Sequence, residues 1–153
     1  MTRFLVLMIP LVLIGCASQN GQSYEDTWEV RYKHSFDFVW EQAKDALEER
    51  YDIESEDLAT RTITTDWDVH LAVFSEKGYR TRLLVTIDGD VVDGYTITAK
   101  EELEVNDEAT NPELIDEADW KAGEADGGTA AKFRVALHKR MNPSQKWREF
   151  EER

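Results

Sequence analysis

Cysteine is almost missing from this chain: Cys16 is the single one in 153 residues. One thiol excludes an internal disulfide framework and any zinc site built on several thiolates. Histidine is nearly as scarce. His34, His70 and His138 are scattered, no two stand at i,i+4 spacing, and no His-Glu-x-x-His segment occurs, so no metal site and no cofactor are expected. There is no Gly-x-Ser-x-Gly elbow and no glycine-rich phosphate loop, and the chain reads as a non-enzyme. Positive charge is also in deficit. The chain has 18 Lys and Arg against 32 Asp and Glu, a formal net charge of −14. This balance opposes nucleic-acid binding and loose adsorption to anionic lipid. No apolar run reaches the roughly 20 residues that a membrane-spanning helix needs.

What is present begins at the amino terminus. Arg3 precedes FLVLMIPLVLI, residues 4–14, which carries no charged or polar side chain and is broken by Pro10. A positive start and an apolar stretch of this length describe a secretory signal peptide. The run ends Leu13-Ile14-Gly15-Cys16. A small residue before a cysteine at this place resembles the lipobox of bacterial lipoproteins. The resemblance implies cleavage between Gly15 and Cys16. It also implies thioether attachment of a diacylglyceryl group to the Cys16 sulfur, whose thiolate is the nucleophile. Acyl chains contribute about 0.8 kcal/mol per buried methylene, and several together anchor a protein stably. Cys16 is then an anchor point outside the fold.

Cleavage removes Arg3 alone among the charged residues and leaves 17 basic against 32 acidic ones, a formal charge of −15. The segments expected are a signal peptide at 1–15, a lipidated cysteine and flexible tether at 16–23, one domain at 24–141 and a charged tail at 142–153. The tether, ASQNGQS after Cys16, is small and polar. Ala17 is not the aspartate that retains enteric lipoproteins at the inner membrane, so the expected location is the outer membrane, facing the periplasm.

Within the domain, period assigns the elements. Trp28, Val30 and Tyr32 alternate with charged residues, which predicts a strand with one wet face. Ser35 caps an amphipathic helix over 36–50, with Phe36, Val39, Trp40, Ala43 and Leu47 on its apolar stripe. A short strand, YDIESEDL, and a turn, ATRT, lead to one longer strand with Ile63, Trp67, Val69, Leu71 and Val73 on its buried face. Tyr79, Leu83, Val85 and Ile87 point inward on the next strand, and Arg80 and Arg82 outward. DGDVVDG is a hairpin connection. Tyr95, Ile97, Ala99, Leu103 and Val105 share a face of the strand that follows. Residues 106–126 read as an acidic loop. A last helix over 128–141 has Ala130, Phe133, Leu137 and Met141 as its stripe, and Asn142-Pro143 ends it. The predicted fold class is α+β: an antiparallel sheet of about five strands under a long helix, in the order β-α-β-β-β-β-α.

The passage FDFVWEQAKDALEERYDIESEDLATRTITTDW, with YRTRLLVTI and ADWK after it, resembles the domains of the BamC family, lipoproteins of the outer-membrane β-barrel assembly machinery. Ile53, Asp57, Ile63, Thr65, Trp67, Arg80 and Arg82 carry the likeness. Arg61-Thr62 stands where the family has a glycine in the turn. The resemblance implies a helix-grip fold and a non-catalytic lipoprotein of binding or scaffolding type, with an envelope protein as partner and a link to outer-membrane assembly. The alternative is a carrier of a small apolar ligand in a helix-grip cavity.

Two charged clusters complete the reading. Asp88, Asp90 and Asp93 share the hairpin but lack the spacing of a calcium loop. Asp66 and Asp68 beside Trp67 are expected to pair with Arg80 and Arg82 across the strands, at a few tenths of a kcal/mol each.

Overall fold

The computed structural model describes residues 21–71, 78–106 and 119–143. The segment expected to be a signal peptide, with Gly15, Cys16 and Val73, lies outside the described residues. The described residues form an α+β unit of seven antiparallel strands and two helices. The strands are β1 (Tyr24–Thr27), β2 (Ile53–Asp57), β3 (Thr62–Thr65), β4 (Asp68–His70), β5 (Gly78–Asp90), β6 (Gly94–Asn106) and β7 (Trp120–Ala122); the helices are α1 (Phe36–Glu48) and α2 (Gly128–Met141). The sheet runs β1-β6-β5-β3-β2, with β4 also on β5 and β7 also on β6.

The long β5–β6 hairpin is the spine. Thirteen residues of each strand pair, from Gly78 opposite Asn106 to Asp90 opposite Gly94. Gly94 takes φ +89°, a conformation that L side chains rarely adopt, and Asp90 accepts the amides of Val92 and Asp93 to close the turn. Those two bonds hold the Asp90 carboxyl below its usual range.

α1 starts where expected. The Ser35 hydroxyl accepts the Phe38 amide at 3.4 Å, and Asp37 adds negative charge to the first turn. Its stripe, Val39, Trp40, Ala43, Ala46 and Leu47, enters one core with Ile63, Leu83, Val85, Ile87, Ile97 and Ala99 from the sheet. α2 adds Ala130, Phe133, Leu137 and Met141. Arg140 ties the helices together by bonding Asp45 at 3.0 Å and Glu49 at 2.9 Å. The cover over the sheet is therefore shared by two helices of 13 and 14 residues, where one long helix was expected.

The strand count differs because the long strand predicted after the turn is broken. Ile63 faces Val85, but Val69 faces Arg80, one residue out of step. Asp66 and Trp67 absorb the extra residue between β3 and β4, as in a β-bulge. A one-residue slip reverses which face each side chain takes. Trp67 and Val69 therefore join the outer face, and Asp68 and His70 turn inward. Trp67 is half-buried, with the guanidinium groups of Arg80 and Arg82 each 4.5 Å from its ring. The expectation of a core Trp67 is corrected. Trp67→Ala should cost about 1–2 kcal/mol, below the 3–5 typical of a core tryptophan. Urea unfolding checks this, and a loss above 3 kcal/mol would put Trp67 back in the core.

Two further differences have local causes. Trp28 and Tyr32 are buried, but Val30 is 38% exposed. The Trp28 amide donates to Ile97, and Tyr32 bridges Tyr95, so Glu29-Val30-Arg31 loops out between these points. Burial pushes the Tyr32 phenol up to about 12, against the nearby Arg134 charge. The acidic stretch read as loop contains β7, where Trp120 pairs with Asn106 and its ring lies 4.7 Å from the Arg80 guanidinium. Gly21 to Ser23, read as tether, run beside β7: the Gln22 carbonyl accepts the Ala125 amide at 3.0 Å.

Candidate functional site

The bulge places Asp68 and His70 on the inner side of the sheet, at the end where β5 begins. His70 Nε2 lies 2.9 Å from the Asp68 carboxylate. The His70 ring stacks on Tyr79 at a centroid distance of 4.7 Å and an interplanar angle of 20°. Opposite Asp68 and His70 in the ladder stand Thr81 and Tyr79. Arg50 and Tyr51 follow the end of α1, and Thr129 and Lys132 come from the first turns of α2. These eight side chains line an open cleft of about 350 Å³. Tyr79 was expected to be core; near the start of β5 it is 42% exposed and forms part of the cleft wall.

Charge in the cleft is unevenly compensated. Asp68 is engaged by His70. Buried Glu101, beside the cleft, accepts the amides of Thr129 and Ala130 at 2.9 and 3.0 Å. Arg50 and Lys132 make no ion pair among the described residues. Burial raises the Tyr51 phenol, and the Asp68 carboxylate works in the same direction, against Arg50. The cleft is thus a polar surface on which Arg50 and Lys132 make no ion pair among the described residues, while the Asp68 carboxylate lines the same cleft.

The outer face of the sheet holds the second cluster. Arg80 Nε donates to Glu104 at 2.7 Å, and Arg82 Nε donates to Glu102 at 2.9 Å. Lys100 also reaches Glu102 at 2.7 Å. Burial works to raise the Glu102 carboxyl, but the bonds from Lys100 and Arg82 hold it below its usual range. Arg80 lies between Trp67 and Trp120. The expected pairing of these arginines with Asp66 and Asp68 is corrected: the acids are Glu102 and Glu104 of β6, with Glu54 of β2 3.5 Å from Arg82, because Asp68 has turned to the other face. A hollow of about 250 Å³ beside this ladder is lined by Gly21, Ser23, Trp67, Leu103 and Ala122, among others.

The remaining candidates are separate. His34 packs on Phe38, and His138 is buried in α2, so the three histidines do not converge. Asp90 is occupied by its own turn. Sequence reasoning missed Arg50, Tyr51, Thr129 and Lys132. They lie far apart in the chain, and only the packing of α1, α2 and β4 collects them. No family model matches the chain, and a search of curated proteins finds no significant match.

Proposed function

We propose that this protein is a lipid-anchored, non-catalytic interaction module of the bacterial cell envelope. Cys16 is the attachment point, cleavage falls after Gly15, and the outer membrane facing the periplasm is the location. The anchor rests on the sequence: charge, apolar run, small residue and cysteine coincide within the first 16 residues.

The interaction role rests on one observation above others: the layer between sheet and helices is filled. Leu47, Ile63, Leu83, Val85, Ile87, Ile97 and Leu137 are fully buried there, and Phe133 nearly so. A carrier of an apolar ligand needs room at that interface. The clefts described above open outward instead and are largely polar. Tyr24, Phe38 and Tyr79 expose aromatic surface, the kind of side chain that anchors protein interfaces.

A helix-grip arrangement of the BamC kind is the finer fold we favour. Two helices packed on one face of an antiparallel sheet are compatible with it. Arg61 supports it too. It takes φ +55°, in the region that favours glycine, at the turn where that family has one. Its Nη1 donates to the Gly89 carbonyl at 2.8 Å, and its guanidinium lies 5.0 Å from the Phe36 ring centroid. These contacts compensate the cost of the conformation. A role close to outer-membrane assembly follows from the same likeness.

Cys16→Ser tests the anchor. Expressed in bacteria with labelled palmitate, the wild-type chain should take up label, and Cys16→Ser should take up none. Label in the variant would remove the lipobox reading. Pull-down of the anchored protein from native membranes then tests the partner. An envelope protein recovered with wild type, and lost on changing Tyr79 to alanine, is the expected result; no specific co-purification would count against the interaction role.

A further inference from the structure

We infer that the cleft between α1, α2 and β4 is a binding site for a phosphate ester, held by Arg50 and Lys132. Three observations carry this. First, the cleft's own acids are held by hydrogen bonds away from the cations, without their charge being cancelled: Asp68 to His70, and the neighbouring Glu101 to the amides of α2. Arg50 and Lys132 therefore face the cleft with no ion pair among the described residues, in a chain of net charge −14. Two cations match one phosphate monoester dianion, and both side chains are good donors to phosphate oxygens. Second, the rest of the lining supplies what an ester needs beyond charge. Thr81 and Thr129 bring hydroxyls, and the stacked His70–Tyr79 pair gives a flat wall for the organic part. Third, about 350 Å³ is larger than inorganic phosphate requires and suits a small ester.

The site's place in the fold names a source. Gly21 lies against Ala122, which pairs with Glu104. The cleft residues Thr81 and Tyr79 pair with Leu103 and Val105, at the same level of the sheet. Five residue steps separate Cys16 from Gly21, a reach of at most about 18 Å. An acylated Cys16 therefore keeps this end of the sheet near the lipid headgroups, and the Val91-Val92 tip of the β5–β6 hairpin lies at the opposite end. A phosphomonoester headgroup, as in phosphatidic acid, and a soluble phosphate ester share the chemistry. The headgroup arm rests on the anchor proposed above; the soluble arm does not. Cys16→Ser labelling can thus fail while the cleft still binds.

The test is nuclear magnetic resonance of the full-length chain in dodecyl maltoside micelles, which contain no phosphate. Glycerol 3-phosphate is titrated at constant ionic strength. In a second arm, phosphatidic acid, itself a phosphate monoester, is doped into the micelles. Saturable shifts of the Thr81, Thr129 and Lys132 amides are expected. Arg50→Gln and Lys132→Gln should each weaken binding about tenfold, as expected for loss of a charge-assisted hydrogen bond. Both residues are exposed, so the variants should fold. Shifts with glycerol 3-phosphate alone assign a soluble ester; shifts with the doped lipid assign a headgroup. No saturable shift in either arm, or shifts unchanged in both variants, overturns the site.

Discussion

Phe133→Ala is expected to lose about 3–5 kcal/mol of unfolding free energy. Phe133 is 1% exposed and stands in the middle of the α2 stripe. Its ring meets Trp28 at a centroid distance of 5.4 Å with a 40° tilt, an arrangement worth about 0.5–1.5 kcal/mol beyond burial. Alanine leaves a cavity where α2 crosses onto the sheet. The space cannot close cheaply, because Arg140 ties α2 to α1 and Arg134 ties it to Asp26 at 3.0 Å. Asp26 also accepts the Trp28 indole N–H at 3.1 Å, so the ring beside the cavity is held from its polar end. Phe133→Leu should recover more than half of the loss, since it restores most of the volume. Urea unfolding followed by tryptophan fluorescence reads both variants. A Phe133→Ala loss below 1 kcal/mol would mean that α2 is peripheral to the core.

The difference between this residue and Trp67 shows how far the sequence could be read. Both are large aromatics at positions where period placed a buried face. Helical period survived in Phe133 because α2 is uninterrupted, with a left-handed Gly127 before it and Asn142-Pro143 after it. Gly127 stands at φ +81°, and a Cβ there would come within 2.6 Å of the Tyr24 ring. Strand period failed at Trp67 because one extra residue reverses the faces, and no side chain at 66 or 67 announces a bulge. Val30 failed for another reason: Glu29-Val30-Arg31 loops out between Trp28 and Tyr32, which both stay buried. β7 was hidden by composition: an acidic segment contributes three residues to the edge of β6, and what holds Trp120 there is Arg80, forty residues earlier in sequence. The cleft was the least legible part. Its cations come from the end of one helix and the start of another, and neither carries a motif. The proposed lipidation signal is the reverse case: it rests on chain order alone.

Glu101→Ala is expected to cost about 2–4 kcal/mol, although it removes a charged residue from the interior of an acidic protein. Glu101 falls on the inward side of β6 with Ile97 and Ala99, and it is 1% exposed. A bare carboxylate there would be very unfavourable. What compensates it is α2. That helix begins at Gly128 behind Gly127, which has no side chain to act as a cap; Asp126 accepts the Gly128 amide at 2.8 Å, and the next two amides lack a local acceptor side chain. Glu101 Oε2 accepts the Thr129 and Ala130 N–H groups instead, from a strand 28 residues away. One oxygen thus supplies the missing cap, worth about 0.5–2 kcal/mol. Its charge at the positive end of the helix adds about 0.3–2 kcal/mol. Alanine loses both and leaves the Ala130 amide buried without an acceptor, a further cost of about 1–3 kcal/mol. Relief of the desolvated charge offsets part of this sum. Glu101→Gln separates the contributions, because its carbonyl still accepts while the charge is gone; it should lose about 1 kcal/mol. Urea unfolding gives the magnitudes, and amide exchange at Thr129 and Ala130 gives the location. Faster exchange confined to the first turn of α2 is expected in Glu101→Ala. A glutamine variant more stable than wild type would show that desolvation outweighs the helix end, and that Glu101 is kept for a reason other than stability.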